Sequence, residues 1–355
     1  MKIERREKIM FIRFKENPLI TPTEIKPVNE NYKVIGVFNA AVAKFKSYTI
    51  LILRVAEAPQ AKKNEFKVPF FDVASQTTKI KSLDDSKYER KDVRAFIPKK
   101  GFDSLPTFLT SISYLRLAYS NDGIHFKILS EPFIYPHNSL QTYGIEDARC
   151  TKIGSIYYLN FSEVSPQGVS VGLVSTQNFK SYKDFGTIFL PDNKDVVIFP
   201  EKINGSYYAL NRPSTANNNM WISKSPDLIH WGEHRLFLKS GNTYWDNGRV
   251  GAGGPPIKTD NGWLVIYHAA DVNDRYCLGA MLLSLNDPTK IIGRTKIPFL
   301  EPKAPYELKG FLPNVVFTCG SFLEKDQITI YYGCADQSIA GGTISLTNIL
   351  NNMKN

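Results

Sequence analysis

"LRLAYSNDGIHFKIL", residues 115–129, holds an apolar strand, a small polar residue at Ser120, a turn built on Asp122 and an aliphatic–aromatic start to a second strand. The pattern returns as "VGLVSTQNFKSYKDFG" (171–186), "MWISKSPDLIHWGEHRLFL" (220–238) and "GAMLLSLNDPTKIIGR" (279–294). Ser120, Ser175, Ser225 and Ser284 mark the matching points, at intervals of 55, 50 and 59 residues. A repeat of this length with several strands per unit predicts β-propeller blades. Between the copies, "YTILILR", "SIYYLNF", "GSYYALN", "GWLVIYH" and "ITIYYG" alternate or run apolar, and turn residues bound them, as in "KING", "KTDNG" and "EKDQ". Dividing the 355 residues by the mean interval gives about six units, and setting aside an insertion and a tail leaves five. The expected fold is all-β: a single domain over residues 1–355, folded as a five-bladed β-propeller. A β-sandwich with accidental self-similarity competes with it, but leaves the recurring turn and its flanks unexplained.

Two segments do not fit blades. Residues 60–105, with "AKKNEFKVPFFDVASQTTKIKSLDDSKYERKDVRAF", are polar and mixed in charge and read as a long insertion between strands, a lid or a contact surface. The end, "LTNILNNMKN", reads as a short terminal helix.

The formal net charge of +10 is compatible with nucleic acid, an acidic surface or an anionic substrate. The basic residues form no dense block: "KNEFK", "KIK" and "IPKK" are short, which favours a solvated lysine-rich surface and no nucleic-acid partner. The N-terminal "MKIERREKIMFIRF" is charged and lacks the apolar core of a signal peptide. No run of ~18 apolar residues predicts a membrane helix. Cys150, Cys277, Cys319 and Cys334 are scattered without metal-ligand spacing, so free buried thiols in a reducing compartment are expected. No membrane partner, no bound metal and a cytoplasmic location follow as expectations.

In a propeller, polar residues at corresponding points of different blades converge on one axial pocket. Asn39, Arg54, Asp147, Lys194, Arg212, His268, Tyr276 and Asp336 mostly end or closely follow apolar strands. Carboxylates accept two hydroxyl hydrogen bonds and suit vicinal diols. Arginine and lysine supply charge for phosphate. The set therefore points to a sugar and an anion in one site. Singly, each residue has a plain explanation: an arginine after an apolar run is commonly a structural ion pair, and His268 fits a hydrogen-bonded core position.

The motifs "GIEDAR", "KDVVIFPEKING", "NRP", "WISKSPDLIHWG", "GRVGAGGPPIKT", "GWLVIYHAAD", "NVVF" and "YYGCAD" resemble those of glycoside hydrolase family 130, the β-mannoside phosphorylases and related mannosidases. The resemblance runs from "ENPLITP" at Glu16 to "YYGCAD". The N-terminal segments and Ala148, where β-1,4 members commonly carry proline, resemble the β-1,2-mannobiose and β-1,2-oligomannan phosphorylase subgroup.

The resemblance implies a five-bladed propeller and inverting phosphorolysis of a terminal β-1,2-mannoside, releasing α-mannose 1-phosphate reversibly. It implies that Asp147 is the catalytic acid, relaying its proton through the O3 hydroxyl of the −1 mannose. Phosphate is the nucleophile and co-substrate; no other cofactor is implied. Lys194, Arg212, His268 and Tyr276 would bind phosphate, although the family commonly reads Arg-Asn where this chain reads Lys194-Asp195. Asn39, Arg54 and Asp336 would hold the −1 mannose, joined by Arg249. Glu146 would orient the loop, with Arg149 as its ion-pair partner. Homo-oligomers are common in the family, and the insertion is a candidate interface. Three alternatives remain: a β-mannosidase using water with Glu146, Glu57 or Glu201 as base, a phosphorylase for β-1,4-mannosides, and a non-catalytic glycan-binding propeller.

Overall fold

The computed structural model describes residues 10–62, 64–214 and 218–353. Most of the charged N-terminal stretch and the last two residues of the tail lie outside these.

Outside the insertion, the described strands group into five antiparallel four-stranded units. The first contains Tyr32–Phe45, Tyr48–Pro59, Ile112–Ser120 and Lys127–Ile134. The second is the simple meander Gly144–Ile153, Ile156–Ser165, Gly168–Thr176 and Lys183–Phe189. A single parallel bridge, Gly144 to Ser113, joins these two units into one sheet. The third comprises Asn193–Ile198, Tyr207–Pro213, Met220–Ser225 and Gly232–Leu238. The fourth comprises Arg249–Ala252, Gly262–Ala270, Tyr276–Leu283 and Ile291–Arg294, with Ile257–Thr259 added to its second strand. The fifth takes Val316–Glu324, Gln327–Cys334 and Ser338–Ser345 from the C-terminal part and completes itself with the N-terminal Ile12–Arg13.

Strands such as Gly262–Ala270 are buried along their whole length, because both faces are covered. The covering is by neighbouring units. One cluster packs Ile52 and Leu117 of the first unit against Leu159 and Phe161 of the second. Others join second to third, third to fourth and fourth to fifth. A further cluster returns from Tyr331 and Ile339 of the fifth unit to Val37 and Leu51 of the first. Each fully buried aliphatic side chain in these layers contributes about 1.5–3 kcal/mol relative to exposure.

The repeated turn has a specific chemistry. Ser120 Oγ accepts from the Asp122 and Gly123 amides, and Asp122 Oδ1 accepts from Ile124 and His125. Ser225 and Asp227 do the same for residues 227–230. In the second unit Thr176 and Asn178 carry it, so Ser175 stands one residue short of the equivalent point. The fourth copy departs: Ser284 donates its amide to Lys290, and Asp287 caps Thr289 instead.

The insertion is folded. It holds the hairpin Lys67–Asp72/Thr77–Ser82 and the small sheet Tyr88–Arg90, Ala95–Pro98 and Phe108–Leu109. Val68, Tyr88, Phe96 and Phe108 pack with Tyr143 and Val164 of the second unit. The segment thus reaches beyond residue 105, up to the strand beginning at Ile112. The tail forms the helix Leu346–Met353, whose Ile349 and Met353 are buried. Among the described residues no helix is long and apolar enough to cross a membrane. All four cysteines are free and buried.

Candidate active site

The first strands of four units carry β-bulges at comparable depth. Register breaks fall between Phe38 and Ala41, Glu146 and Arg149, Lys194 and Val197, and Phe317 and Gly320. A bulge inserts a residue, bends the strand and re-aims a side chain. In three of them the bulged residue is left-handed: Asn39 at φ 51°, Asp147 at φ 48° and Asp195 at φ 54°. Asparagine and aspartate tolerate that region better than most residues, because their short polar side chains bond locally. Asp336, just past its strand, shares it at φ 49°. The same four polar residues border one cavity of about 350 Å³.

Eight of the nine residues expected at the site line this cavity: Asn39, Arg54, Asp147, Lys194, Arg212, Arg249, Tyr276 and Asp336. His268 does not. It is fully buried behind the wall, bonded through Nε2 to Asp195 Oδ2 at 3.1 Å and packed on Phe317 with centroids 4.2 Å apart. Burial lowers its pKa against the opposing pull of Asp195.

One side of the cavity is acidic. Arg54 Nη1 donates to Asp147 Oδ1 at 2.9 Å, and Nη2 donates to Glu146 Oε1 at 2.6 Å. Asn39 Nδ2 donates to the same Asp147 oxygen at 3.0 Å. Asp147 Oδ2 has no hydrogen-bond donor among the described residues. Gly333 leaves room for this contact, since a Cβ there would collide with Asn39 Oδ1. Burial opposes the charge of Arg54, but Glu146, Asp147 and Asp336 outweigh it and hold its pKa above the ordinary value. Burial pushes Asp336 up to about 7, with Arg54 opposing and Asp147 adding. Glu146 is likewise raised, chiefly by burial.

The other side is basic. Lys194 makes no ion pair among the described residues, and burial and then Arg212 lower its pKa. Arg212 donates through Nε to Asp195 at 2.7 Å and through Nη1 to Asn218 at 3.2 Å. Arg249 bonds the Tyr276 hydroxyl at 3.1 Å and Asp274 at 2.6 Å. Lys194 without an ion pair among the described residues, and Arg212 with its Nη2 unbonded among them, give this side the donors and charge that an anion would need.

Several pairings differ from expectation. The partner of Glu146 is Arg54; Arg149 turns the other way, to Asp195 at 3.1 Å and to the Asp147 carbonyl at 2.9 Å. The ladder breaks between Glu146 and Arg149, and the bulge there re-aims the side chains on either side of Asp147. Glu201 is an exposed partner of Lys258, and Glu57 is tied to Tyr114 and the Val28 amide, so neither borders the cavity.

Two site residues escaped the sequence reading. Asp195 was noted only as a departure from the family's asparagine, yet the doublet Lys194-Asp195 sits on its strand as Glu146-Asp147 does, a signal that could have found it. Arg94 reaches the cavity from the insertion, and nothing local in "RKDVRAF" announces that.

Residues 109–355 match the family described as β-1,4-mannooligosaccharide phosphorylase. The chain is 47% identical over 348 residues to a β-1,2-mannobiose phosphorylase of Listeria innocua, covering 96% of this chain and 98% of that one. It is 42% identical over 241 residues to a 1,2-β-oligomannan phosphorylase of Thermoanaerobacter, covering 67% and 80%. The solved complex of the Listeria innocua enzyme with β-1,2-mannobiose superposes with a TM-score of 0.92 at 47% identity, over 97% of this chain and 99% of that one. Asp147 and the cations Lys194 and Arg212 thus border one cavity in a chain that resembles mannoside phosphorylases along nearly all its length, and the chain belongs to glycoside hydrolase family 130.

Proposed function

We propose that the protein catalyses reversible, inverting phosphorolysis of β-1,2-mannosides, mannobiose or an oligomannan, to α-mannose 1-phosphate. The observation that carries this reading is the pairing of Asp147, pinned through one oxygen only, with Lys194, which has no ion pair among the described residues, and with Arg212, whose Nη2 is unbonded among them, in the same cavity. A phosphate oxygen attacks the anomeric carbon of the terminal mannose and forms the new C–O bond. The glycosidic C–O bond breaks, and its oxygen takes the Asp147 proton through the O3 hydroxyl of that mannose, the route the family resemblance implies. Phosphate arrives as an anion, so no protein base is required, and the cations align it on the anomeric carbon. Lys194, Arg212 and Tyr276 bind phosphate; Asn39, Arg54 and Asp336 bind the mannose, with Arg249 at the edge. His268 acts on phosphate from behind the wall, through Asp195. An inverting hydrolase would need a second carboxylate free to activate water. Glu146 is engaged by Arg54 and Asp195 by three partners, which leaves Asp336, assigned here to the mannose, as the one cavity carboxylate without an ion pair among the described residues.

The same reading makes the five units the blades of a five-bladed β-propeller forming a single domain. The five interfacial clusters and the return of Ile12–Arg13 to the last unit support it. The β-1,2 linkage rests on the likeness to the Listeria innocua enzyme over nearly the full chain.

The test is incubation with mannobioses of each linkage, with and without inorganic phosphate. Phosphate-dependent release of mannose 1-phosphate from β-1,2-mannobiose is expected. Free mannose at an unchanged rate without phosphate would make the protein a mannosidase, with Asp336 the carboxylate to examine as base.

A further inference from the structure

Asp195 lies in the cavity wall with its side chain 3% exposed, and each of its oxygens is engaged. Oδ2 accepts from Arg212 Nε at 2.7 Å and His268 Nε2 at 3.1 Å, and Oδ1 accepts from Arg149 Nη2 at 3.1 Å. Arg149 is itself buried and carries the connection on, donating from Nη1 to the Asp147 carbonyl at 2.9 Å and from Nε to the Gly253 carbonyl at 3.2 Å. The space is cut to fit this carboxylate. A Cβ at Gly251 would lie 2.7 Å from His268 Cε1 and closer still to Asp195 Oδ2. An ion cluster this deep is costly to desolvate, and a hydrophobic replacement of equal volume is often neutral or stabilising, so stability alone is a weak reason for it.

We propose that Asp195 is a positioning residue: its carboxylate locks the Arg212 guanidinium at the angle needed for phosphate and, through Arg149, holds the bulge that presents Asp147. This rests on the phosphorolysis reading above. Arg212 has its Nε and Nη1 occupied by Asp195 and Asn218, and its Nη2 has no acceptor among the described residues. A guanidinium fixed on two sides offers its remaining edge in one orientation, which lowers the entropy lost when an anion binds. The His268 ring adds a third partner to Asp195, at 3.1 Å. One carboxylate thereby sets the distance between the two halves of the site, the nucleophile's cradle and the acid.

Two variants test this. Asp195→Asn keeps the shape but turns an amide NH2 toward at least one of three donors. Gly251→Ala keeps the charge and wedges the carboxylate out of place. Phosphorolysis of β-1,2-mannobiose is measured with phosphate and mannobiose varied separately, alongside the shift in melting temperature that phosphate produces. Both variants are expected to raise the KM for phosphate by about tenfold or more and to lower kcat as the acid loses its support, to leave the KM for mannobiose within about twofold and to lose the phosphate-induced shift. If wild type turns over without phosphate, the phosphorolysis reading fails. If wild type is phosphate-dependent and a folded variant keeps its phosphate KM, the positioning role alone fails. Equal loss on both substrates, or failure of both variants to fold, would make the cluster structural and overturn the proposal.

Discussion

Arg54 Nη2 lies 2.6 Å from Glu146 Oε1, across 92 residues of chain. The same guanidinium holds Asp147 Oδ1 at 2.9 Å, so one arginine sorts two adjacent carboxylates. Glu146 is held as an ion-pair partner. Asp147, anchored through one oxygen, keeps the other available to a substrate. What reads in sequence as a paired-acid site is one acid with a supporting charge pair.

Asp147→Asn should therefore abolish turnover while the fold survives. The carboxamide oxygen still accepts from Arg54 and Asn39, but the acid is gone. Release of mannose 1-phosphate should fall by about 10³-fold or more, with an unchanged melting curve. Activity within tenfold of wild type would move the acid role to another group.

Lys194→Met should separate binding of the two substrates. The variant removes a cation that faces the cavity without an ion-pair partner among the described residues and that burial disfavours. The KM for phosphate should rise by roughly tenfold or more, and the KM for mannobiose should stay within about twofold. The melting temperature should hold or rise, since the burial cost of a charge is removed. An unchanged phosphate KM would exclude Lys194 from the cradle.

Asp336 makes stability depend on pH. Its folded value of about 7 lies above the ordinary 3.8. Between these values the unfolded chain has released its proton while the folded protein retains it, so rising pH weakens the fold until the pH passes the folded value. Asp336→Asn should therefore gain melting temperature over wild type from pH 4 to pH 7 and hold that gain above it. For a chain of this length each ~1 kcal/mol corresponds to roughly 1–2 °C. A gain independent of pH would contradict the raised value.

Arg13→Met should loosen the return of the N-terminal strand to the fifth unit. Arg13 donates to both oxygens of the fully buried Glu307, at 2.7 and 2.9 Å, and Tyr332 adds a third bond at 2.8 Å. Burial opposes the Glu307 charge, but Arg13 and the Lys303 and Ala304 amides outweigh it and hold its pKa below the ordinary carboxylate value. That stabilisation is present above the usual value of 4.5 and is lost as pH falls through the depressed one. Removing the cation leaves a buried charge unpaired and should cost about 3–5 kcal/mol. Thermal and acid unfolding should both come earlier, while kcat/KM on folded enzyme is unchanged. An unaltered melting temperature would show that the strand end contributes nothing.

Much of this was legible because strand patterns are local. Alternation and apolar runs mark strands wherever they occur, and the Ser-x-Asp turn bonds only within six residues, so all-β character, repeat spacing and terminal helix follow from the chain. The one-residue slip at Ser175 arose because threonine serves as well as serine in that turn, and Thr176 carries the bonds. The cavity residues were legible because most of them end or closely follow apolar strands and because their motifs resemble those of the family.

Which charges meet is a different matter. Arg54 and Glu146, Arg149 and Asp195, and Asp195 and His268 are 92, 46 and 73 residues apart. Their pairing depends on bulges that turn Asn39, Asp147 and Asp195 left-handed and on the packing of one unit against the next. No local pattern says that His268 lies behind the wall, or that Arg94 arrives from an insertion with its own small core. Residue types and strand order belong to the chain; the partner each buried charge takes is settled by long-range packing, where the cost of leaving a charge unpaired selects among geometries that the backbone allows.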